Sequence, residues 1–249
     1  MMPAEPQSLL ECGVIPFAFP GVPGVYCGFS TALAGNMSIE ASVGPAEQAL
    51  AAARRASLMQ RCGFSRWGEV YQVHGEAIVE NFGLEETDIV PEIRADGHYT
   101  LIPGVGLVIK TADCQPLLLA RADGRAIAAL HVGWRGNILD LPAKGVARFC
   151  KEFSCTPKDL HVVRGPSLGP GAAEFINFAV EWPERFQPWF NPQTKTMNLW
   201  ELTRYQLESS GIPGRQIYSL DLCTHTEAAT FFSYRRKQAG RQANIIWRV

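Results

Sequence analysis

Cys114 and His131 are the two side chains of this sequence best placed to do chemistry. A thiol and an imidazole can bind a metal together, and they can also act without one, the imidazole taking the proton of an attacking thiol. Both lie within residues 104–136, GVGLVIKTADCQPLLLARADGRAIAALHVGWRG, each at the end of a short apolar run. Residues 106–109, and 117–120 after Pro116, are too short and too aliphatic for independent helices. Residues 126–132 put Ile127, Ala129 and His131 on one face at period two. Strands are therefore predicted here, with Cys114 just past one and His131 closing another, so the two groups can converge where strands leave the core. A third candidate, His74, stands in QVHG, residues 72–75, between predicted strands 69–73 and 77–79 that break at Gly75. Taken alone, a single histidine of this kind reads as a hydrogen-bonded structural residue before it reads as a ligand.

Around these residues, strands alternate with helices, the pattern of an α/β protein. Strands are predicted at 25–29, 160–163, 217–222 and 243–249. A first long helix over 45–61 has Pro45 in its first turn and Gly63 as its stop. Its Arg54 and Arg55 read as solvated charges, with contact to an anionic substrate as the alternative. Ile138, Leu141, Val146, Phe149 and Phe153 predict one helix over 137–153, with Pro142 restricting its start. Asn198 can cap a helix over 198–210 that Gly211 ends. Residues 95–100, ADGHYT, read as a turn punctuated by Asp96 and Gly97. The loop GPSLGPG, 165–171, can either wrap backbone N–H groups and Ser167 around a phosphate or serve as a tight structural loop. Residues 223–241, CTHTEAATFFSYRRKQAGR, are rich in aromatics and arginines; Arg235, Arg236 and Arg241 can pair with carboxylates or bind phosphate bidentately.

At 249 residues, with 47% hydrophobic and 19% charged residues, the chain has material for one large core, and a single domain over 1–249 is expected. A net charge of -1 and a pI near 6.5 give no basic footprint for nucleic acid or anionic membranes. The acidic, Pro-containing start does not resemble a secretory signal and no segment reaches bilayer-spanning length, so a cytoplasmic protein is expected. The seven cysteines are odd in number and never spaced C-x-x-C, which argues against a disulfide framework or zinc ribbon; most are expected to be buried small hydrophobes.

Four segments taken together, QVHG at 72–75, TADCQPLLL at 111–119 with LHVGWRG at 130–136, GPSLGP at 165–170, and the 223–241 segment, resemble the laccase-domain family. This is the YfiH or multicopper polyphenol oxidase family, whose members are described as purine nucleoside phosphorylases with adenosine deaminase activity. The resemblance implies a mixed α/β fold of two face-packed mixed sheets flanked by helices, similar to that of cytotoxic necrotizing factor toxins. It also implies a zinc held by His74, Cys114 and His131, and small-molecule partners, a nucleoside and phosphate. Cysteine and histidine suit zinc, and three protein ligands leave a fourth position for water or substrate. Two departures stand out. Gly171, Ala172 and Ala173 precede Glu174 where the family usually has a Cys-Cys-Tyr run, and GNMSIEASVGP, 35–45, replaces an Asn-Leu-start segment ending in Gly-Asp.

The implied chemistry assigns further roles. Deamination needs an activated water and a carboxylate to move protons, for which Asp113 and Glu174 are candidates. Phosphorolysis needs donors for phosphate and for the departing purine, and Arg135, Ser167 and Arg235 are candidates. Copper oxidation of phenols is the alternative carried by the family's laccase label, but a multicopper oxidase needs a second cluster of imidazoles. This chain has five histidines, none spaced H-x-H. A Cys-His hydrolase, with Cys114 as nucleophile and His131 as base, is another reading, as is editing of peptidoglycan precursors at a similar site. A structural zinc closed by Cys223 or Asp113 is the non-enzymatic one. Oligomeric state is not legible in the sequence.

Overall fold

The computed structural model describes residues 5–40 and 44–249. Residues 41–43, inside the divergent 35–45 segment, lie outside the described residues. The chain begins with α1 (Pro6–Glu11), β1 (Val14–Phe17), β2 (Val25–Ser30) and α2 (Pro45–Cys62). It continues with β3 (Arg66–Gly68), β4 (Ile78–Glu80), β5 (Gly97–Thr100), β6 (Val105–Thr111), β7 (Gln115–Arg121) and β8 (Ile127–Val132). Two helices follow, α3 (Trp134–Ile138) and α4 (Leu141–Glu152), then β9 (Leu160–Arg164), α5 (Phe178–Glu181), β10 (Phe190–Asn191) and β11 (Thr196–Met197). The chain closes with α6 (Leu199–Ser209), β12 (Ile217–Ser219) and β13 (Gln242–Arg248).

Two mixed sheets pack face to face. One has the order β1-β2-β13-β6-β3, antiparallel except where β3 runs parallel to β6. The other has the order β12-β9-β7-β8-β5-β4, with parallel pairs only at its two edges. Both central strands of the second sheet are apolar without alternation, because both of its faces are covered. Leu118, Ala120, Ile127 and Ala129 meet Val25, Phe29, Leu107 and Ile109 of the first sheet. Leu117, Leu119, Ala128 and Leu130 turn the other way, onto Val146 and Phe149 of α4 and Leu207 of α6. Across the first sheet, Val108, Ile245 and Trp247 pack on Leu58 and Met59 of α2. The layers thus run helix, sheet, sheet, helix, as the resemblance implied. A smaller aromatic cluster holds Phe175, Trp182, Phe186 and Leu199 together beside them.

Several local expectations change. ADGHYT is not a turn: residues 97–100 form β5, between β4 and β8, because pairing on both sides outweighs the turn propensity of Asp-Gly. The strand expected at 69–73 lies earlier in the chain, as β3, and that at 77–79 stands one residue on, as β4, leaving QVHG in the loop between them. The single helix over 137–153 is two, divided at Asp140, whose backbone is left-handed at φ 59° just before Pro142. Arg55 is not solvated. It is fully buried, paired to Glu69 at 2.9 Å and 5.1 Å from the Trp67 ring, with Lys110 on the other Glu69 oxygen at 2.8 Å. Arg54 pairs with Glu47. All seven cysteines are free, and only Cys27 and Cys62 are buried, so the expectation that most would be is not met. Among the described residues, no helix is long and apolar enough to cross a membrane.

Candidate metal centre

Three chain segments bring His74, Cys114 and His131 together. The turn 112–114 carries the chain from β6 in one sheet to β7 in the other, so Cys114 sits where the two layers meet. His131, on β8, is paired in register with Pro116 of β7, two residues beyond Cys114. His74 reaches them from the β3–β4 loop in a left-handed backbone conformation, φ 59°. That loop is tied down twice. The Gln72 side-chain amide exchanges two 2.8 Å hydrogen bonds with the backbone of Lys110 on β6. The second tie is to Asp96, immediately before β5: its carboxylate accepts from the N–H groups of Val73, His74 and Gly75 at 3.2, 2.8 and 2.6 Å.

The ligand atoms of His74, Cys114 and His131 all lie within 4.8 Å of one another, so the group could hold a metal ion. His74 is exposed, Cys114 half-buried and His131 buried, which gives the centre one open side. Neither Asp113 nor Cys223 belongs to the group, so among the described residues no fourth protein ligand closes it. Its floor is Gly133: a Cβ there would meet His74 Cδ2 at 3.0 Å and Cys114 Sγ at 3.2 Å.

The two buried partners polarise each other. Burial opposes ionisation of the Cys114 thiol, yet the His131 charge and hydrogen bonds from both imidazoles overcome it and lower its pKa to about 6. Burial also opposes protonation of His131, but the neighbouring thiolate and the Asp96 carboxylate raise its pKa to about 9. Both shifts favour the thiolate–imidazolium form of the metal-free pair. Asp96 is itself buried, and its hydrogen bonds to His131 and to the loop N–H groups hold its carboxyl below the ordinary value against the cost of burial.

The remaining candidate residues separate. Asp113, at φ 94°, turns its carboxylate away from proton transfer: Oδ1 accepts from Thr224 Oγ1 at 2.8 Å, and Oδ2 from Ser233 Oγ at 3.0 Å and the Arg235 N–H at 2.8 Å. It staples the 223–241 segment to the Cys114 turn. Ser167, a candidate for phosphate, is fully buried and takes hydrogen bonds from Trp200 Nε1 at 2.9 Å and Arg164 Nη1 at 3.1 Å. The 165–171 loop is thus the tight structural loop of the two readings, with Gly169 N–H on Cys223 Sγ. Arg236 spends its guanidinium on the carbonyls of Thr224, His225 and Phe231.

Arg135, Arg235 and Glu174 are exposed. The Arg135 guanidinium lies 4.4 Å from the Trp134 ring, Trp134 meets Phe175 edge-on at 5.9 Å, and Arg235 lies 5.7 Å from Phe175 while donating to the Glu174 carbonyl. These form one row of rings ending in a guanidinium on either side. Trp134 directly follows Gly133 in the chain, and Arg235 is tied through its backbone N–H to Asp113, the neighbour of Cys114.

Sequence reasoning missed Asp96 and Gly133. Asp-Gly is a turn dipeptide in sequence, and only the pairing of β5 with β8 shows that residue 96 lies beside His131. Gly133 had a readable signal, a glycine two residues after a candidate ligand.

Known proteins share this sequence pattern and fold. The model of the multi-copper polyphenol oxidoreductase laccase family matches residues 25–249. The chain is 33% identical to the purine nucleoside phosphorylase YfiH of Escherichia coli over 185 residues, 72% of each chain. It is 34% identical to a purine nucleoside phosphorylase of Pseudomonas aeruginosa over 186 residues, 71% of this chain and 72% of that one. The crystal structure of YlmD from Geobacillus stearothermophilus superposes with a TM-score of 0.82 at 26% identity, covering 95% of this chain and 96% of that one. The fold, the three converging side chains and the match over most of its length together place the chain in the multi-copper polyphenol oxidoreductase laccase family, the family of YfiH.

Proposed function

We propose that this protein is a zinc-dependent enzyme of purine nucleosides, cleaving adenosine, inosine and methylthioadenosine-type substrates with phosphate and deaminating adenosine to inosine. The observation that carries the reading is the convergence of His74, Cys114 and His131, with one open side, in a chain whose relatives are named purine nucleoside phosphorylases. One thiolate and two imidazoles are a donor set that fits zinc with a position to spare. When bound, zinc supplies Lewis acidity that makes water nucleophilic at neutral pH.

The chain's own residues supply the rest. Trp134, partly exposed and backed by the buried Phe175, offers ring surface against which a purine can lie, and Arg135 and Arg235 offer guanidinium donors to phosphate. With both oxygens of Asp113 engaged, Glu174 is the carboxylate left to move protons. The five histidines, only two of them in the centre, make zinc a better fit than a multicopper assembly.

The test is metal content by mass spectrometry on untagged protein, together with turnover of adenosine and inosine with and without phosphate. Inosine should form from adenosine without phosphate, and free base with ribose 1-phosphate should require it. If zinc-loaded protein turns over neither nucleoside under either condition, the purine assignment fails. A second reading, a metal-independent hydrolase with Cys114 as nucleophile, is favoured by the low pKa of that thiol beside His131. A chelator separates the two, since it abolishes zinc catalysis and spares a Cys-His enzyme.

A further inference from the structure

We propose that Asp96 is the positioning residue of the centre, a single carboxylate that sets two of its three ligands at once. Asp96 lies in the strand register opposite His131, and the two residues are joined twice. The Asp96 carbonyl accepts the His131 backbone N–H at 2.7 Å, and Asp96 Oδ1 lies 2.8 Å from His131 Nδ1. A carboxylate can only accept at that distance, so Nδ1 carries the proton and Nε2 presents its lone pair to the metal. The same carboxylate accepts the three successive N–H groups of residues 73–75 and so holds His74 in its left-handed conformation. The His74 ring is exposed and touches the His131 ring edge-on, with centroids 4.8 Å apart. With little packing around that ring, its position is inherited from the loop backbone, and the loop backbone is held by Asp96. Both Asp96 oxygens are engaged by these four partners and the side chain is fully buried.

An amide of the same shape cannot do this. In Asp96→Asn the NH2 group either faces Nδ1, which forces the proton onto Nε2 and removes the metal-binding lone pair, or faces the loop N–H groups, donor against donor. Partners of this kind are worth roughly ten- to a hundredfold in metal affinity.

The experiment is zinc competition with a chromogenic chelator on wild type and Asp96→Asn, with the absorption spectrum of the cobalt-substituted proteins recorded alongside. The substitution should weaken zinc by about ten- to a hundredfold and reduce the ligand-field bands of tetrahedral cobalt, while the thiolate-to-cobalt band from Cys114 persists. Affinity within about twofold of wild type would overturn the proposal. Nitrogen-15 NMR of the zinc-loaded wild type decides the matter even if the variant does not fold: His131 should carry its proton on Nδ1, and zinc bound through Nδ1 would refute the assignment. The proposal rests on the reading of the centre as a zinc site. Failure of the wild type to bind zinc would defeat both, whereas normal wild-type binding with no effect of Asp96→Asn would defeat this one alone. Nucleoside turnover enters neither result.

Discussion

Gly133→Ala is the substitution in which the geometry of the centre makes its sharpest demand. The backbone at Gly133 is extended, φ -74° and ψ 174°, a conformation alanine adopts without strain, so the added methyl is the whole perturbation. That methyl would stand 3.0 Å from His74 Cδ2 and 3.2 Å from Cys114 Sγ, and each must give by a few tenths of an ångström. In the metal-free protein the exposed His74 ring can swing aside, so folding stability should fall by at most about 1 kcal/mol, the low end of the overpacking range. A metal leaves no such freedom, because ligand distances hold to roughly ±0.2 Å. Zinc affinity should therefore drop by about ten- to a hundredfold, or roughly 1.4 to 2.8 kcal/mol. Chelator competition measures the affinity, and denaturant unfolding of the metal-free protein measures the stability. The reasoning is refuted if zinc binding stays within about twofold of wild type. It is refuted equally if the metal-free variant loses as much stability as the metal-loaded one.

Alkylation of Cys114 in metal-stripped protein should remain fast well below the ordinary thiol range and slow only as pH falls through about 6, because the lowered pKa keeps the thiolate present above that value. Zinc should protect the thiol, and equal labelling with and without metal would show that Cys114 is not a ligand. Ser167→Ala should leave zinc stoichiometry intact while costing about 1 to 3 kcal/mol in denaturant unfolding, since Trp200 Nε1 and one Arg164 N–H lose a buried acceptor. A shift in phosphate KM with unchanged stability would instead return Ser167 to the substrate site.

The sequence by itself carried the three side chains that converge and most of the strands. The apolar runs around Cys114 and His131 could be nothing but buried strands, and β6, β7 and β8 stand where periodicity and length put them. Pro45, Gly63, Asn198 and Gly211 marked the ends of α2 and α6 because capping and left-handed stops are local chemistry. The motifs QVHG, TADC and HVGWRG supplied a thiol and two imidazoles, and residue type alone limits what such a set can bind.

What the tertiary structure decided was everything that depends on register and on which face is covered. ADGHYT became a strand once β4 and β8 lay on either side of it, and only that pairing delivered Asp96 to His131. Arg55, one charge among several in a helix sequence, is buried because α2 covers the first sheet and Glu69 lies beneath it. Ser167 and Asp113 each had more than one reading in the sequence, because a hydroxyl and a carboxylate declare their chemistry but not their direction. The packing of α6 turns Ser167 to Trp200, and the fold of the 223–241 segment takes both oxygens of Asp113. Local sequence sets which groups are available; the long-range pairing of strands sets which of them are already occupied.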